Sequence, residues 1–409
     1  MKNIAIAGAG IVGISCAYFL QKSGFKVTLI DNKEPGTMTS YGHACTFADY
    51  ASIPVNSPVL FRKIPFMLLK NDGPLAVDFL HVIKNPSWSI NFLKNCRQNR
   101  VDYISSSLAG LLQHAKISYD EIFEEVDVKK YIKNEEALYL YESKTAFEEV
   151  KTSTLQRIKN GIDVRELNKE EIKELEPNLA SVYYKGQVFM GSRHTTNPLA
   201  ISKKIFKSFT NNGGKFLQKK ITNIIHTDNN LTLSFGTESK IFNQLVVSTG
   251  AWSNIVANYI GDNFPLDTER GYHVLFDNSA ELINRPIGWS QSGFYLIQIE
   301  EGIRAAGTVE IAGLHKKPNE KRIRMIEKQA RKILPQLGKV KKEWMGFRPT
   351  LPDSLPVIGP SQKNKRIFYA FGHQHIGWTL GAITGKIIDS LVKEVQPNID
   401  IKAFSPNRF

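Results

Sequence analysis

The 409-residue sequence is poor in cysteine and has no long apolar segment. Cys16, Cys45 and Cys96 are too few for a disulfide framework and lack the paired spacing of a metal site. No segment after residue 20 reaches eighteen unbroken apolar residues, so nothing predicts a membrane-spanning helix. We therefore expect a cytoplasmic protein without a metal site.

The excess of positive charge is not arranged as in a nucleic-acid-binding protein. The net charge is +14, but the lysines are scattered along the chain and form no basic arm with interleaved aromatic residues. This argues against a nucleic-acid partner. A basic surface would suit peripheral attachment to the anionic inner face of the plasma membrane, although a merely solvated basic surface is the simpler interpretation.

The first thirty-one residues carry the clearest motif. An apolar run at 4–7 precedes Gly8, Gly10 and Gly13, a helical pattern follows, and a β-rich run at 27–30 ends on Asp31. Such glycines allow a tight turn, a close approach to a pyrophosphate and close helix–strand packing, and the acid is placed to bind a ribose. The pattern predicts a dinucleotide site. A signal peptide is the alternative, but it requires neither the glycine register nor the acid.

Periodicity predicts further elements along the chain. Helical patterns cover 88–125, 146–159, 199–209, 319–334 and 378–392, and strand patterns cover 137–141, 187–190, 273–276, 293–298, 304–309 and 367–371. A further strand pattern at 244–250 runs into a glycine turn. The loop 34–48 follows the second strand of the nucleotide fold. Its residues would then pass a bound nucleotide, unless the loop is an ordinary surface connection.

Two later strand-to-glycine turns indicate which dinucleotide is bound. The run 246–252 ends in Thr249-Gly250-Ala251-Trp252, and a second strand leads through Gly372 to a helix that begins near Trp378. A helix N-terminus presents free N–H groups and a partial positive charge. Directed at a flavin ring it would stabilise the reduced form, whereas a nicotinamide has no use for it. This favours FAD.

Together these motifs resemble the D-amino-acid dehydrogenase branch of the FAD-dependent D-amino-acid-oxidase superfamily. The resemblance is collinear over nearly the whole chain. It is carried by the N-terminal motif with Asp31 and by the segments 248–252, 269–273, 346–349, 353–360 and 372–378.

The resemblance implies an α/β fold, α+β overall, with a discontinuous Rossmann-like FAD-binding domain and a mainly antiparallel β-sheet substrate domain. The expected boundaries are 1–50, 146–252 and 342–409 for the FAD-binding domain, and 51–145 and 253–341 for the substrate domain. The implied activity is oxidation of the Cα–N bond of an amino or imino acid. A hydride passes from Cα to flavin N5 and an imine results.

The resemblance also implies site residues. Arg348 matches an arginine that grips the substrate carboxylate in related oxidases; the alternative is a structural pair with Asp353. Tyr272 and His273 are candidates to hold substrate or to be packed sheet residues, and His43 is a candidate beside the ring. The expected FAD-binding residues are Gly8, Gly10, Ile11, Val12, Gly13, Asp31, Asn32, Ser40, His43, Ala44, Ile221, Thr249, Gly250, Trp252, Gly372, His375, Ile376, Gly377, Trp378 and Thr379.

Two departures from the family pattern bear on the substrate. The loop 41–45 and the pair Gln374-His375 differ from the residues usual at these places among D-amino-acid dehydrogenases. The Arg-Gly-Tyr-His variant at 270–273 is closer to the branch that acts on D-hydroxyproline and D-proline. The expected electron acceptor is a quinone or an electron-transfer protein, with O2 less favoured. A glycine- or sarcosine-type amine oxidase and a non-catalytic flavoprotein subunit of a larger oxidoreductase remain alternatives.

Overall fold

The computed structural model describes residues 2–59, 61, 73–227, 229–277 and 280–409. Residues 60 and 62–72, in the predicted substrate domain, lie outside the described part. The strands are β1 (Asn3–Ala7), β2 (Lys26–Asp31), β3 (Thr46–Phe47), β4 (Leu75–Val77), β5 (Ile132–Lys133), β6 (Leu138–Tyr141), β7 (Val164–Leu167), β8 (Lys185–Phe189), β9 (Arg193–Thr195), β10 (Lys215–Gln218), β11 (Asn223–His226), β12 (Leu231–Phe235), β13 (Glu238–Phe242), β14 (Gln244–Val247), β15 (Asp267–Phe276), β16 (Ile287–Trp289), β17 (Phe294–Ile299), β18 (Gly302–Ile311), β19 (Val340–Thr350), β20 (Val357–Pro360) and β21 (Ile367–Phe371).

The α-helices of the described residues alternate with these strands. They are α1 (Ile11–Lys22), α2 (Phe79–Lys84), α3 (Pro86–Lys94), α4 (Gln98–Leu112), α5 (Ala115–Glu125), α6 (Lys144–Glu149), α7 (Lys151–Lys159), α8 (Lys169–Leu175), α9 (Pro198–Asn211), α10 (Ser253–Asn258), α11 (Glu320–Ile333) and α12 (Gly377–Val392). None of them is long and apolar enough to cross a membrane.

A six-stranded sheet in the order β10-β2-β1-β14-β21-β20 forms the nucleotide-binding half. All its pairs are parallel except β20 with β21. The central strands β1, β14 and β21 are almost entirely buried, because helices and a small sheet cover both faces, as parallel sheets require. Three separated parts of the sequence supply the strands. The predicted α/β fold with a discontinuous nucleotide-binding half is confirmed.

Helices α1 and α12 pack closely on one face of this sheet. Two glycines of α12, Gly381 and Gly385, lie at the contact, and a Cβ at Gly385 would come within 2.8 Å of the Ser15 carbonyl oxygen. The absence of side chains therefore lets the two helix backbones approach each other. Helices α4, α5 and α9 complete the same apolar cluster.

A nine-stranded, mainly antiparallel sheet forms the second half. Its order is β19-β15-β18-β17-β16-β6-β8-β7, and β4 pairs with β18. Helix α11 covers one face, where its apolar side chains pack against β15 and β18. The other face is turned towards the nucleotide-binding half and forms one wall of the main cavity.

The sheet pairings and helix packing differ from the expected domain boundaries. Strands β7, β8 and β19 were expected in the FAD-binding domain, but all three belong to the nine-stranded sheet. Helices α4 and α5 were expected in the substrate domain, but they pack with α1 and α12. These partners are distant in sequence, so local periodicity carries no information about them.

Candidate active site

A cavity of about 880 Å3 lies between the two large sheets. It is lined by most of the residues expected to bind cofactor or substrate. They are Gly8, Gly10, Ile11, Val12, Asp31, Asn32, Ser40, His43, Ala44, Ile221, Thr249, Gly250, Trp252, Tyr272, Arg348, His375, Gly377 and Trp378. Residues far apart in the sequence therefore converge on one site.

The turn between β1 and α1 forms one end of the cavity. Gly8 has a φ of +103°, and a Cβ there would overlap the Ser248 carbonyl oxygen. Only glycine fits where these two strands end side by side. Gly10 is the N-cap of α1, and the Ile11 N–H donates to the Ser40 hydroxyl oxygen (2.9 Å). No acidic side chain lies in the first turn of α1, so its partial positive charge is open to an anion.

Asp31 lies beside this turn at the end of β2. One carboxylate oxygen accepts from the Ala9 N–H (2.7 Å) and the other from the Lys33 N–H (2.9 Å). Each oxygen retains acceptor capacity, because a carboxylate oxygen can accept two hydrogen bonds. The backbone thus fixes the carboxylate at the cavity wall, where a hydroxyl group of a ligand can bind.

The start of α12 forms another part of the wall. Gly372 makes the turn with a φ of +84°, a 3-10 turn follows at Gln374–Ile376, and no side chain caps the helix. His375 opens to the cavity, and desolvation together with the charge of Arg348 lowers its pKa to about 4. The imidazole is therefore neutral near pH 7.

Two buried donors beside α12 have no partner within the described part of the chain. The rings of His43 and Trp378 stack with centroids 4.5 Å apart. The Cys45 N–H donates to His43 Nδ1 (2.9 Å), so Nε2 carries the proton. Both His43 Nε2 and Trp378 Nε1 lack an acceptor. A ligand with acceptor atoms would satisfy them.

Arg348 lies on β19 at the opposite wall. Its Nη1 donates to the Thr308 carbonyl oxygen (2.7 Å), and the guanidinium lies over Gly271, where a Cβ would overlap it. Desolvation lowers the pKa of Arg348, and the buried Glu269 opposes this. The alternative pairing with Asp353 is not formed, because Asp353 binds Arg408 (Nε–Oδ2 2.7 Å). Arg348 is thus free to bind a ligand carboxylate.

Comparison with known proteins identifies the family. A family model described as DAO, FAD dependent oxidoreductase, matches residues 3–391. A D-amino-acid oxidase of Bradyrhizobium diazoefficiens is 33% identical over 100% of this chain and 99% of its own. This chain belongs to the DAO family of FAD dependent oxidoreductases. The cofactor is FAD, as predicted, and the nicotinamide alternative is excluded.

More distant relatives agree with this assignment. A D-amino acid dehydrogenase of Vibrio vulnificus is 23% identical over 98% of this chain and 99% of its own. The crystal structure of glycine oxidase from Geobacillus kaustophilus superposes with a TM-score of 0.77 at 17% identity and covers 100% of both chains. At that identity the superposition shows a shared fold alone.

The cavity of this DAO-family enzyme fits FAD. The N-terminus of α1 and Asp31 suit the pyrophosphate and ribose of the nucleotide. The N-terminus of α12 and the unpartnered donors of His43 and Trp378 suit the acceptor atoms of a flavin ring. Bound FAD would supply an acceptor for two electrons at the ring.

Four residues expected to bind FAD do not line the cavity and instead hold its walls. A Cβ at Gly13 would overlap the Gly8 carbonyl oxygen, so Gly13 serves helix–strand packing. Ile376 is part of the core, and Gly372 makes a turn. The Thr379 hydroxyl accepts from the Ala48 N–H (2.9 Å) and ties the loop 34–48 to α12.

Tyr272 and His273, expected either to hold substrate or to be packed sheet residues, lie on β15 and both have packing partners. The Tyr272 hydroxyl donates to Glu310 and accepts from the Asn319 N–H (3.1 Å), so this group is bonded on the α11 side, although the residue also lines the cavity. His273 faces the cavity side but is covered by Trp344, whose ring stacks on it at 5.0 Å. Direct contact of either side chain with substrate stays a prediction.

Other cavity residues were not found from the sequence. They are chiefly Tyr50, Tyr139, Arg157, Phe189, Glu269, Tyr295 and Trp344. A signal existed for Trp344, because Trp344, Gly346 and Arg348 alternate along one strand and so share its face. Arg157 lies on a charged helix, and nothing in its local sequence separates it from solvent-exposed arginines.

Proposed function

We propose that this enzyme oxidises the Cα–N bond of a D-amino acid or a cyclic imino acid such as D-proline or D-hydroxyproline. Hydride would leave Cα for N5 of the bound FAD, and water would hydrolyse the resulting imine. The names of the 33%-identical oxidase and of the dehydrogenase relatives support an amino-acid substrate of D configuration. The Arg-Gly-Tyr-His run at 270–273 favours cyclic imino acids.

The observation that carries this proposal is the guanidinium of Arg348. It is desolvated, it has a single hydrogen-bond acceptor in the described residues, and no carboxylate forms an ion pair with it there. Its Nη2 and Nε have no partner in that part of the chain. Glu269 offsets part of this desolvation without forming an ion pair, so a carboxylate held by two parallel hydrogen bonds would stabilise the guanidinium further.

The histidines around the site add no positive charge to that of Arg348. Desolvation lowers the pKa of His43 well below its ordinary value, and that of His375 falls to about 4. Both rings are neutral at pH 7. They therefore do not compete for the substrate carboxylate, and a neutral His43 Nε2–H can donate to the cofactor.

An anaerobic screen of flavin absorbance tests the proposal. D-alanine, D-proline and both D-hydroxyproline epimers are mixed with the yellow holoenzyme, alongside the L-enantiomers, glycine and sarcosine. We expect bleaching near 450 nm with D-amino acids at rates well above those with the L forms. Bleaching by glycine or sarcosine alone would instead support an amine oxidase. A flavin that no compound bleaches would support a non-catalytic subunit.

We further propose that the electrons pass to a quinone at an anionic membrane surface. Helix α2 exposes Phe79, Leu80 and Ile83, and the overall charge of the protein is positive. Exposed apolar residues and basic charge are the features that attach a protein to an anionic bilayer. Peroxide release and quinone reduction, each measured with and without anionic vesicles, distinguish an oxidase from such a dehydrogenase.

A further inference from the structure

One end of the cavity is walled by aromatic side chains. We call it the tyrosine end and define it by Tyr50, Tyr139, Tyr295 and Phe189. The Tyr50 ring stacks on Phe189 at 4.1 Å, and the hydroxyl groups of Tyr50 and Tyr295 lie 3.1 Å apart. Burial raises the pKa of Tyr139 to about 12, although its side chain is only half-buried. Its ring lines the cavity and is accessible from it.

The sheet register places this end close to Arg348. The guanidinium reaches across β15 to Thr308 on β18, and Tyr295 lies on the neighbouring strand β17, opposite Ala306. One strand spacing and two residues separate Thr308 from Tyr295, which is roughly 8 Å between backbones. A small amino acid could therefore have its carboxylate on Arg348 and its side chain at the tyrosine end.

Small residues line the cavity wall between Arg348 and the tyrosine end. Gly271 and Ala306 have little or no side chain, and the Tyr139 ring lies over Gly288 of β16, where a Cβ would overlap it. The ring thus extends towards β17 and Tyr295, with centroids 5.6 Å apart. The phenol groups of Tyr139 and Tyr295 therefore close the tyrosine end of the cavity that Arg348 also lines.

A second arginine lies at the tyrosine end. Arg157 of α7 donates from Nε to the Tyr50 carbonyl oxygen (3.3 Å) and from Nη1 to the Ser153 hydroxyl (3.5 Å), and its guanidinium lies over the Phe189 ring. Its Nη2 has no partner, and no carboxylate forms an ion pair with it, in the residues described. Its charge lowers the pKa of Tyr139 against the raising effect of burial.

We propose that the tyrosine end binds an oxygen atom carried by the side chain of the substrate. This inference rests on the proposed function. Arg157 Nη2 and the Tyr139 hydroxyl are the donors, and the aromatic rings pack against the carbon atoms between that oxygen and Cα. The substrate class is therefore amino or imino acids with a side-chain hydroxyl or carboxylate. An unpaired guanidinium beside an aromatic wall is poorly suited to a purely apolar side chain.

Matched substrate pairs test this inference in the holoenzyme. kcat/KM is measured for D-hydroxyproline against D-proline and for D-glutamate against D-glutamine, in the wild type, Arg157→Gln, Tyr139→Phe and Lys159→Gln. Lys159 is exposed on the same helix and does not line the cavity, so its variant controls for loss of one charge. The first pair measures the effect of a side-chain hydroxyl group on kcat/KM, and the second measures the effect of a side-chain carboxylate.

We expect the wild type to prefer the partner that carries the hydroxyl or the carboxylate in at least one pair. Arg157→Gln should reduce that ratio about 10- to 100-fold, the effect of a charged hydrogen bond, and Arg157→Lys should restore part of it. Lys159→Gln should leave the ratio unchanged. Flavin content and Tm show that each variant is folded.

Two results would overturn the inference and leave the proposed function intact. One is a wild type whose kcat/KM for D-proline equals that for D-hydroxyproline and whose kcat/KM for D-glutamine equals that for D-glutamate. The other is an Arg157→Gln variant that slows all D-amino acids by the same factor. If the wild type oxidises no D-amino acid, the proposed function and this inference both fail.

Discussion

The guanidinium of Arg348 occupies space that is open only because residue 271 is a glycine. Its guanidinium occupies the space above Gly271 on the neighbouring strand, and its hydrogen bond to Thr308 fixes the orientation. The sequence motif predicts an arginine at position 348, but it does not predict that the guanidinium packs above Gly271. The segment 269–273 does not show whether Tyr272 and His273 contact substrate. Both faces of the sheet are covered, so alternation cannot show which face borders the ligand.

Removing the Arg348 guanidinium should separate substrate binding from cofactor binding. We expect Arg348→Ala to lower kcat/KM about 30- to 1000-fold, since a two-bond charged contact is worth about 2–4 kcal/mol, while FAD stays bound. Arg348→Lys keeps the charge and should lose less. Steady-state kinetics and the flavin spectrum measure both effects. Wild-type kinetics in the alanine variant would show that the carboxylate is held elsewhere.

At the scale of elements, periodicity predicts most of the helices and strands that bear on the site. The predicted strand at 367–371 and the helix that follows it correspond to β21 and α12. Two long helical patterns are interrupted: 88–125 divides into α3, α4 and α5, and 146–159 divides into α6 and α7. Which sheet a strand joins depends on pairing with remote segments, so β7, β8 and β19 could not be assigned.

The glycines of the β1–α1 turn should respond differently to alanine. A Cβ at Gly10 meets only the Ser40 hydroxyl at 3.4 Å, whereas one at Gly13 overlaps the Gly8 carbonyl oxygen. We expect Gly10→Ala to fold and to bind FAD more weakly, because the methyl group would lie where we expect the pyrophosphate to approach. Gly13→Ala should lower Tm or prevent folding. FAD titration and thermal unfolding measure these effects. Equal loss of Tm in both would contradict separate roles.

At the scale of the molecule, the site lies between two halves whose segments alternate along the chain. The cavity unites residues from position 8 to position 378. The resemblance predicted this convergence for Arg348 and the start of α12. It did not predict the tyrosine end, because β6, β17 and α7 meet only through long-range packing.

Buried neutral histidines should make the protein sensitive to acid. Burial lowers the pKa of His273 and His373 to about 3, against about 6.5 in an unfolded chain. Between these values the unfolded state binds protons that the folded state does not. The free energy of unfolding should therefore fall as pH decreases from about 6.5 to 3, by about 2 kcal/mol for each imidazole at pH 5. Asp49, whose pKa burial raises to about 6, acts in the opposite direction.

Denaturant unfolding at pH 7.5, 6 and 5 with saturating FAD checks this dependence. His273→Asn keeps a donor for the Gly42 carbonyl oxygen and cannot titrate, so its stability should depend less on pH. The exposed His114 provides a control as His114→Gln, which should keep the wild-type dependence. If the free energy of unfolding depends on pH equally in His273→Asn and the wild type, His273 does not contribute to the acid sensitivity.

The packing of α1 against α12 also determines when the nucleotide-binding half is complete during translation. The first βαβ unit leaves the ribosome early, but α12 begins at Gly377 and β21 only at Ile367. Until then the nascent nucleotide-binding sheet lacks a neighbour for β14 and the helix that covers α1. Domains generally fold as units during translation. We therefore expect the cofactor to be loaded only after almost the whole sequence has been translated.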